Sequence, residues 1–156
     1  MGTEIERKFL VPGAFPRPDG GRSIRQGYLC RGPDRSVRIR VGGDRAWLTV
    51  KGRTVGASRP EFEYSIPVAE AVAMLDELCE PGQIHKVRYE VEHAGLTWEV
   101  DVFEGDNAGL VVAEVELQDA TRAVTVPPWV GDEVTDDPRY LNANLGRHPY
   151  TQWPRD

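Results

Sequence analysis

Five of the like-charge pairs spaced two residues apart stand out in this sequence: Glu4 and Glu6, Glu61 and Glu63, Glu114 and Glu116, Arg38 and Arg40, Lys86 and Arg88. In an extended chain a spacing of two puts both members of a pair on one face. Lys8, Lys51, Arg59 and Asp101 fall in phase with them. The basic residues suit phosphate oxygens, and an arginine can grip two at once. Clustered carboxylates suit a hard divalent cation, Mg2+ or Mn2+, which then bridges to phosphates. Zinc is poorly served, because His85, His93 and His148 stand at no ligand spacing. There is no Gly-rich phosphate loop and no G-x-S-x-G nucleophile. The chemistry left is attack on a phosphoryl group by a water that the metal or the protein orients.

Strands must carry these pairs. The sequence predicts them at Glu4–Leu10, Ser23–Cys30, Ser36–Val41, Ala46–Lys51, Glu61–Ile66, Ile84–Glu92, Leu96–Phe103 and Leu110–Leu117. One stretch changes period: Val68, Ala71, Val72, Leu75, Leu78 and Cys79 form a helical stripe over 68–79, stopped by Pro81-Gly82. Asp137-Pro138 opens a second helix, running through Asn144 to Gly146. Val11–Gly21 and the stretch around Pro127-Pro128 read as irregular chain.

One charged strand face normally means water on that side. Six such strands, each backed by Phe9, Phe62, Tyr64, Tyr89, Trp98 and their like, ask for another solution. A closed barrel satisfies both faces, polar inside and apolar outside, with helices packed on the outside. About eight strands enclose a cavity for a small ligand. Burying that many charges without a ligand is costly, so a hydrated tunnel for a polyanion and a cation is expected. The fold class is α+β, mainly β: an eight-stranded antiparallel closed barrel in one domain over residues 1–156.

The whole composition agrees. With 156 residues, 40% hydrophobic and 28% charged, the chain reads as a soluble globular domain. A net charge of −6 argues against nucleic acid or an anionic membrane as partner. No apolar run nears the ~20 residues of a membrane span. Cys30 and Cys79 match no metal or redox spacing and are expected as reduced thiols. The charged N-terminus has no signal-peptide pattern, so the expected location is cytoplasmic.

The pattern Glu4-x-Glu6-x-Lys8 resembles the signature of the CYTH superfamily, the triphosphate tunnel metalloenzymes, in its short bacterial form. So do Gln26-Gly27-Tyr28-Leu29, Val37-Arg38-Ile39-Arg40, Leu48–Gly52, Glu61–Tyr64, Lys86–Tyr89, Glu99–Phe103, Glu114–Leu117 and Asp137–Tyr140 with Asn142 and Asn144, in the same order. The resemblance implies a tunnel that cleaves triphosphates with Mg2+ or Mn2+. It implies a metal cluster of Glu4, Glu6, Glu114 and Glu116, with Asp101 as a further candidate. Lys8, Arg38, Arg40, Lys51, Arg59, Lys86 and Arg88 would hold the triphosphate, and Lys8 and Lys51 would orient the attacking water. Glu61 and Glu63 would bind a second metal or fix the basic residues. Relatives usually carry a longer, partly helical segment where this chain has Val11–Gly21, so access to that end of the tunnel is expected to differ.

The leading function is hydrolysis of inorganic triphosphate. The alternatives are a class IV adenylate cyclase, or a nucleoside or thiamine triphosphatase of the same fold, which need a pocket for an organic group. A non-catalytic module binding polyphosphate or a nucleotide is a third reading, against which the complete carboxylate set argues. The sequence leaves the oligomeric state open between monomer and homodimer.

Overall fold

The computed structural model describes residues Gly2–Pro154. Eight strands form the body: β1 (Gly2–Leu10), β2 (Arg22–Cys30), β3 (Arg35–Gly42), β4 (Arg45–Gly52), β5 (Ser58–Ile66), β6 (Ile84–His93), β7 (Leu96–Phe103) and β8 (Val111–Glu116). They close in the order β1-β5-β4-β3-β2-β6-β7-β8. Every pairing is antiparallel. The eight predicted strands are all present, with ends that differ by three residues at most.

β1 closes the barrel by serving two partners. Its first half pairs with β5, from Gly2 opposite Glu61 to Ile5 opposite Ser58. Its second half pairs with β8, from Glu6 opposite Glu116 to Leu10 opposite Val112. The edge of Lys8 and Leu10 that β5 does not reach is taken by the returning chain. There Val134 N–H donates to the Lys8 carbonyl at 2.8 Å and Gly131 N–H to the Leu10 carbonyl at 2.7 Å. Over Lys8–Leu10 β1 is therefore paired on both sides.

The outward faces are apolar and mostly covered. Phe9, Trp98, Val100, Ala113 and Val115 are buried beneath Phe15, Val124, Trp129 and Val130. Thus the Val11–Gly21 stretch runs over the outside of the wall; Phe15 stacks edge-on against Tyr89 with ring centroids 5.9 Å apart. Helix α1 (Val68–Glu77) packs Ala71 and Leu75 onto Ile39 and Ala46. Fully burying one such aliphatic side chain is worth ~1.5–3 kcal/mol.

Two expectations about cover are corrected. α1 ends at Glu77, and Leu78, with φ −122°, leaves the helical phase. Its side chain is therefore exposed instead of extending the apolar stripe. Phe62 and Tyr64 also stay exposed, at 40% and 59%, because α1 lies over β2, β3 and β4.

The expected C-terminal helix is broken. A 3-10 turn (Pro138–Tyr140) is followed by extended Leu141, with ψ 134°, and then α2 (Asn142–Arg147). Asp137 caps the first piece, accepting from Arg139 N–H. This segment does not pack on the outer wall. Tyr140 and Leu145 bury against Ile84, Phe103, Leu110 and Val112, whose alternation points them inward near one barrel end. It crosses the end at which β2 and β7 finish and β6 and β8 begin. Tyr150 and Trp153 of the tail stack behind Tyr140; the last two residues of the tail lie outside the described residues. Among the described residues no helix is long and apolar enough to cross a membrane.

Candidate active site

Strand alternation turns the charge pairs into the wall of one cavity of about 480 Å³. Glu4, Glu6, Lys8, Arg38, Arg40, Lys51, Arg59, Glu61, Glu63, Lys86, Arg88, Glu114 and Glu116 all line it. The antiparallel register brings Glu6 opposite Glu116 and Lys8 opposite Glu114. Arg38 lies opposite Thr49, and Lys51 opposite Glu61.

Asp101 is the exception among the predicted residues. It lies beside the cavity, 1% exposed, and is fully engaged by cations. Lys86 Nζ is 2.7 Å from Oδ2, Arg88 Nε donates to Oδ1 at 2.7 Å and Arg88 Nη2 to Oδ2 at 2.9 Å. Burial works against the Asp101 carboxylate, but Lys86 and Arg88 outweigh it and hold the group well below the usual carboxylate range.

The two lysines expected at the chemistry are paired with carboxylates. Lys51 Nζ donates to Glu4 at 2.9 and 3.1 Å and lies 3.5 Å from Glu61. Lys8 Nζ lies 3.4 Å from Glu114 and donates to the Tyr140 carbonyl at 3.1 Å. Burial opposes the Lys8 ammonium, yet Glu114 and Glu6 raise it above the ordinary lysine value. Burial also opposes the Glu114 carboxylate, which Lys8 draws down to about 2. Glu63 accepts from the Thr49 hydroxyl at 2.8 Å and lies 3.7 Å from Arg38. Arg59 donates to the Gly52 carbonyl at 3.2 Å.

The remaining charges are unbalanced, in opposite senses on two walls. Arg40 makes no ion pair among the described residues; its Nε donates to Gln26 Oε1 at 2.9 Å. Burial first, then Arg38 and Arg88, pull its guanidinium down to about 9. Lys86 is pulled to about 7 by burial in spite of Asp101, with Arg88 and Arg40 adding to the effect. Facing them, Glu6 and Glu116 have no ion pair among the described residues. Burial first, then Glu114 and Glu4, push the Glu6 carboxyl up to about 8. Burial and the neighbouring Glu4 and Glu99 raise Glu116 as well.

Among the described residues no three acidic, histidine or cysteine side chains converge tightly enough to ligate one ion as they stand. Glu4 is drawn to Lys51 and Glu114 to Lys8. The donor set nevertheless fits a hard divalent cation by its chemistry: four carboxylates on adjoining β1 and β8, two of them without a cation partner.

The cavity also contains residues that the charge pairs do not point to. Glu99 lines it and accepts from Arg88 at 3.2 Å; its spacing of two from Asp101 is the signal for it. Tyr28, Asn142 and Asn144 line it as well. Tyr28 follows from the alternation of β2, whereas nothing in local spacing marks the asparagines as facing the tunnel.

Fold and site together define a closed eight-stranded antiparallel barrel whose interior is a charged tunnel. A family model described as the CYTH domain matches residues 2–145, and the chain belongs to that family. It is 52% identical over 151 residues to a protein of Acetivibrio thermocellus named inorganic triphosphatase, covering 96% of this chain and 97% of the relative. A protein of Nitrosomonas europaea with the same name is 41% identical over 150 residues, covering 92% and 96%. A crystal structure of an inorganic triphosphatase, 37% identical, superposes with a TM-score of 0.66 over 94% of this chain and 95% of that one.

Proposed function

We propose that this protein hydrolyses the phosphoanhydride bond of inorganic triphosphate in a divalent-metal-dependent reaction inside the tunnel. The observation that carries the reading is the split charge balance. Among the described residues Arg40 on one wall lacks an ion-pair partner, and so do Glu6 and Glu116 on another. A metal–triphosphate complex supplies both. The relatives named inorganic triphosphatase, each matched over more than nine-tenths of both chains, support the same substrate.

In this reading Glu4, Glu6, Glu114 and Glu116 hold Mg2+ or Mn2+. When bound, the cation neutralises charge on phosphate oxygens and on the leaving group. Arg38, Arg40, Lys86 and Arg88 bind the phosphate oxygens, with the guanidiniums favouring bidentate contact. Lys8 and Lys51 orient the attacking water, and Arg59 adds positive charge near Lys51. Asp101 is the counter-charge that keeps Lys86 and Arg88 in place, not a metal ligand. Glu61 and Glu63 fix Lys51 and Arg38 rather than binding a second metal. Catalysis of this kind rests on positioning and charge neutralisation.

An organic triphosphate needs apolar or aromatic cover for its base. Among the described residues that line the cavity Tyr28 is the one aromatic side chain, and Pro33, Pro138 and Leu141 are the larger apolar ones. The test is phosphate release from tripolyphosphate, ATP and pyrophosphate, each with Mg2+, Mn2+ or EDTA. Metal-dependent cleavage confined to tripolyphosphate is expected. Equal or better use of ATP would move the assignment to a nucleotide enzyme. Tight binding without turnover of any of the three would make the protein a binding module.

A further inference from the structure

The segment that crosses the barrel end brings one side-chain amide against two walls of the tunnel. Asn142 Oδ1 accepts from Lys86 Nζ at 2.9 Å and from Gln26 Nε2 at 3.2 Å. Gln26 is buried, and its Oε1 receives Arg40 Nε at 2.9 Å. One oxygen therefore links a lysine of β6 directly, and an arginine of β3 through a glutamine of β2. Asn142 lines the cavity, and its Nδ2 donates to none of the described residues.

This oxygen sits on a fixed support. Tyr140 and Leu145 are buried on either side of it. The end of α2 meets the chain before β6 backbone to backbone: a Cβ added to Gly82 would collide with the Gly146 carbonyl oxygen, and one added to Gly146 with the Gly82 oxygen. Arg31 secures the same place, donating to the carbonyls of Pro81 and Gly82, each at 2.9 Å.

We propose that Asn142 is a positioning residue for the triphosphate: it fixes Lys86, and through Gln26 it fixes Arg40, in the arrangement that receives phosphate oxygens. A lysine ammonium has three donors on a flexible stem. Asp101 and Asn142 take two of them, which sets the stem and leaves one N–H for a ligand. Gln26 is the one hydrogen-bond partner of the Arg40 side chain among the described residues. Holding these side chains before binding means that their rotamer freedom is lost on folding instead of on association. The signature is weaker binding with the chemical step largely intact. This inference rests on the triphosphatase reading above.

The test uses Asn142→Ala in the full chain, with tripolyphosphate as the probe. Calorimetric binding in EDTA and steady-state kinetics with Mg2+ are measured in parallel. Losing a charge-assisted hydrogen bond predicts about a tenfold rise in both Kd and KM, with kcat within about threefold of wild type. In a Lys86→Met, Gln26→Leu background Asn142→Ala should add less than about twofold, because both groups it acts through are gone. Gln26→Leu tests the second arm from the barrel side, and is read alone if Asn142→Ala does not fold; it predicts the same rise in Kd and KM. Kd and KM within about twofold of wild type, or an effect of Asn142→Ala that persists undiminished in the Lys86→Met, Gln26→Leu background, would overturn the proposal. Wild-type protein that does not cleave tripolyphosphate would sink the triphosphatase reading instead, so the two failures are distinct.

Discussion

The Lys86 ammonium and the Asp101 carboxylate lie 2.7 Å apart, with 0% and 1% of their side chains exposed. Arg88 forks onto the other side of the same carboxylate. One negative charge thus answers two cations inside the tunnel wall. Asp101→Asn keeps the shape and removes the charge, leaving buried Lys86 without a carboxylate and Arg88 with Glu99 alone. Breaking such a buried network costs about 3–5 kcal/mol. For a chain of this size that lowers the thermal midpoint by on the order of 10 °C. Melting curves in EDTA check this. A midpoint unchanged by the substitution would reopen Asp101 as a metal ligand that the basic residues do not need.

Glu116 makes the opposite prediction. It stands opposite Glu6 at an exposed position of β8 and makes no ion pair among the described residues. Glu116→Gln should leave the melting curve within a degree or two, while Mg2+-dependent phosphate release falls by roughly 100-fold or more. Near-normal turnover would remove Glu116 from the cation site.

Arg40 is crowded by like charge and anchored by an amide. Burial, Arg38 and Arg88 together make its own charge unfavourable in the tunnel. Arg40→Ala should therefore hold or raise the thermal midpoint in EDTA while weakening tripolyphosphate binding about 10- to 100-fold. Unchanged affinity would take Arg40 out of the phosphate clamp.

The contrast among these three residues also marks what the sequence could convey. Charge pairs at spacing two name the tunnel wall because the alternation of a strand is rigid: Glu4, Glu6, Arg38, Arg40, Glu114 and Glu116 could face nowhere else together. The same alternation places Asp101 inward but says nothing of which partner claims it; that depends on Lys86 and Arg88 arriving from β6 at the matching level. Leu78 fits the helical stripe and is nonetheless exposed, since α1 stops one residue before it. Asn142 was least legible. Its role depends on where a chain returning from β8 comes to rest, and that is fixed by Tyr140, Leu145 and the contact of Gly82 with Gly146, none of them signalled locally.

If Glu6 is a cation ligand, as proposed above, it ties cation binding to pH. Burial, Glu114 and Glu4 raise its carboxyl to about 8 from an ordinary 4.5. Between those two values the folded, metal-free chain keeps a proton that the unfolded chain has released. Its contribution to stability therefore declines as pH rises through that window. A divalent cation must displace the same proton, so the stabilisation it brings should grow as pH rises toward about 8 and level off above it. The measurement is the thermal midpoint with Mg2+ minus that with EDTA, stepped across the window. Subtracting the EDTA curve removes titrations that the cation does not touch, including that of Lys86. Wild type should show a difference that increases with pH, and Glu6→Gln a smaller and flatter one. A magnesium shift in wild type that is flat with pH would mean that the cation does not displace the Glu6 proton, and would leave β8 and Glu4 to hold it alone.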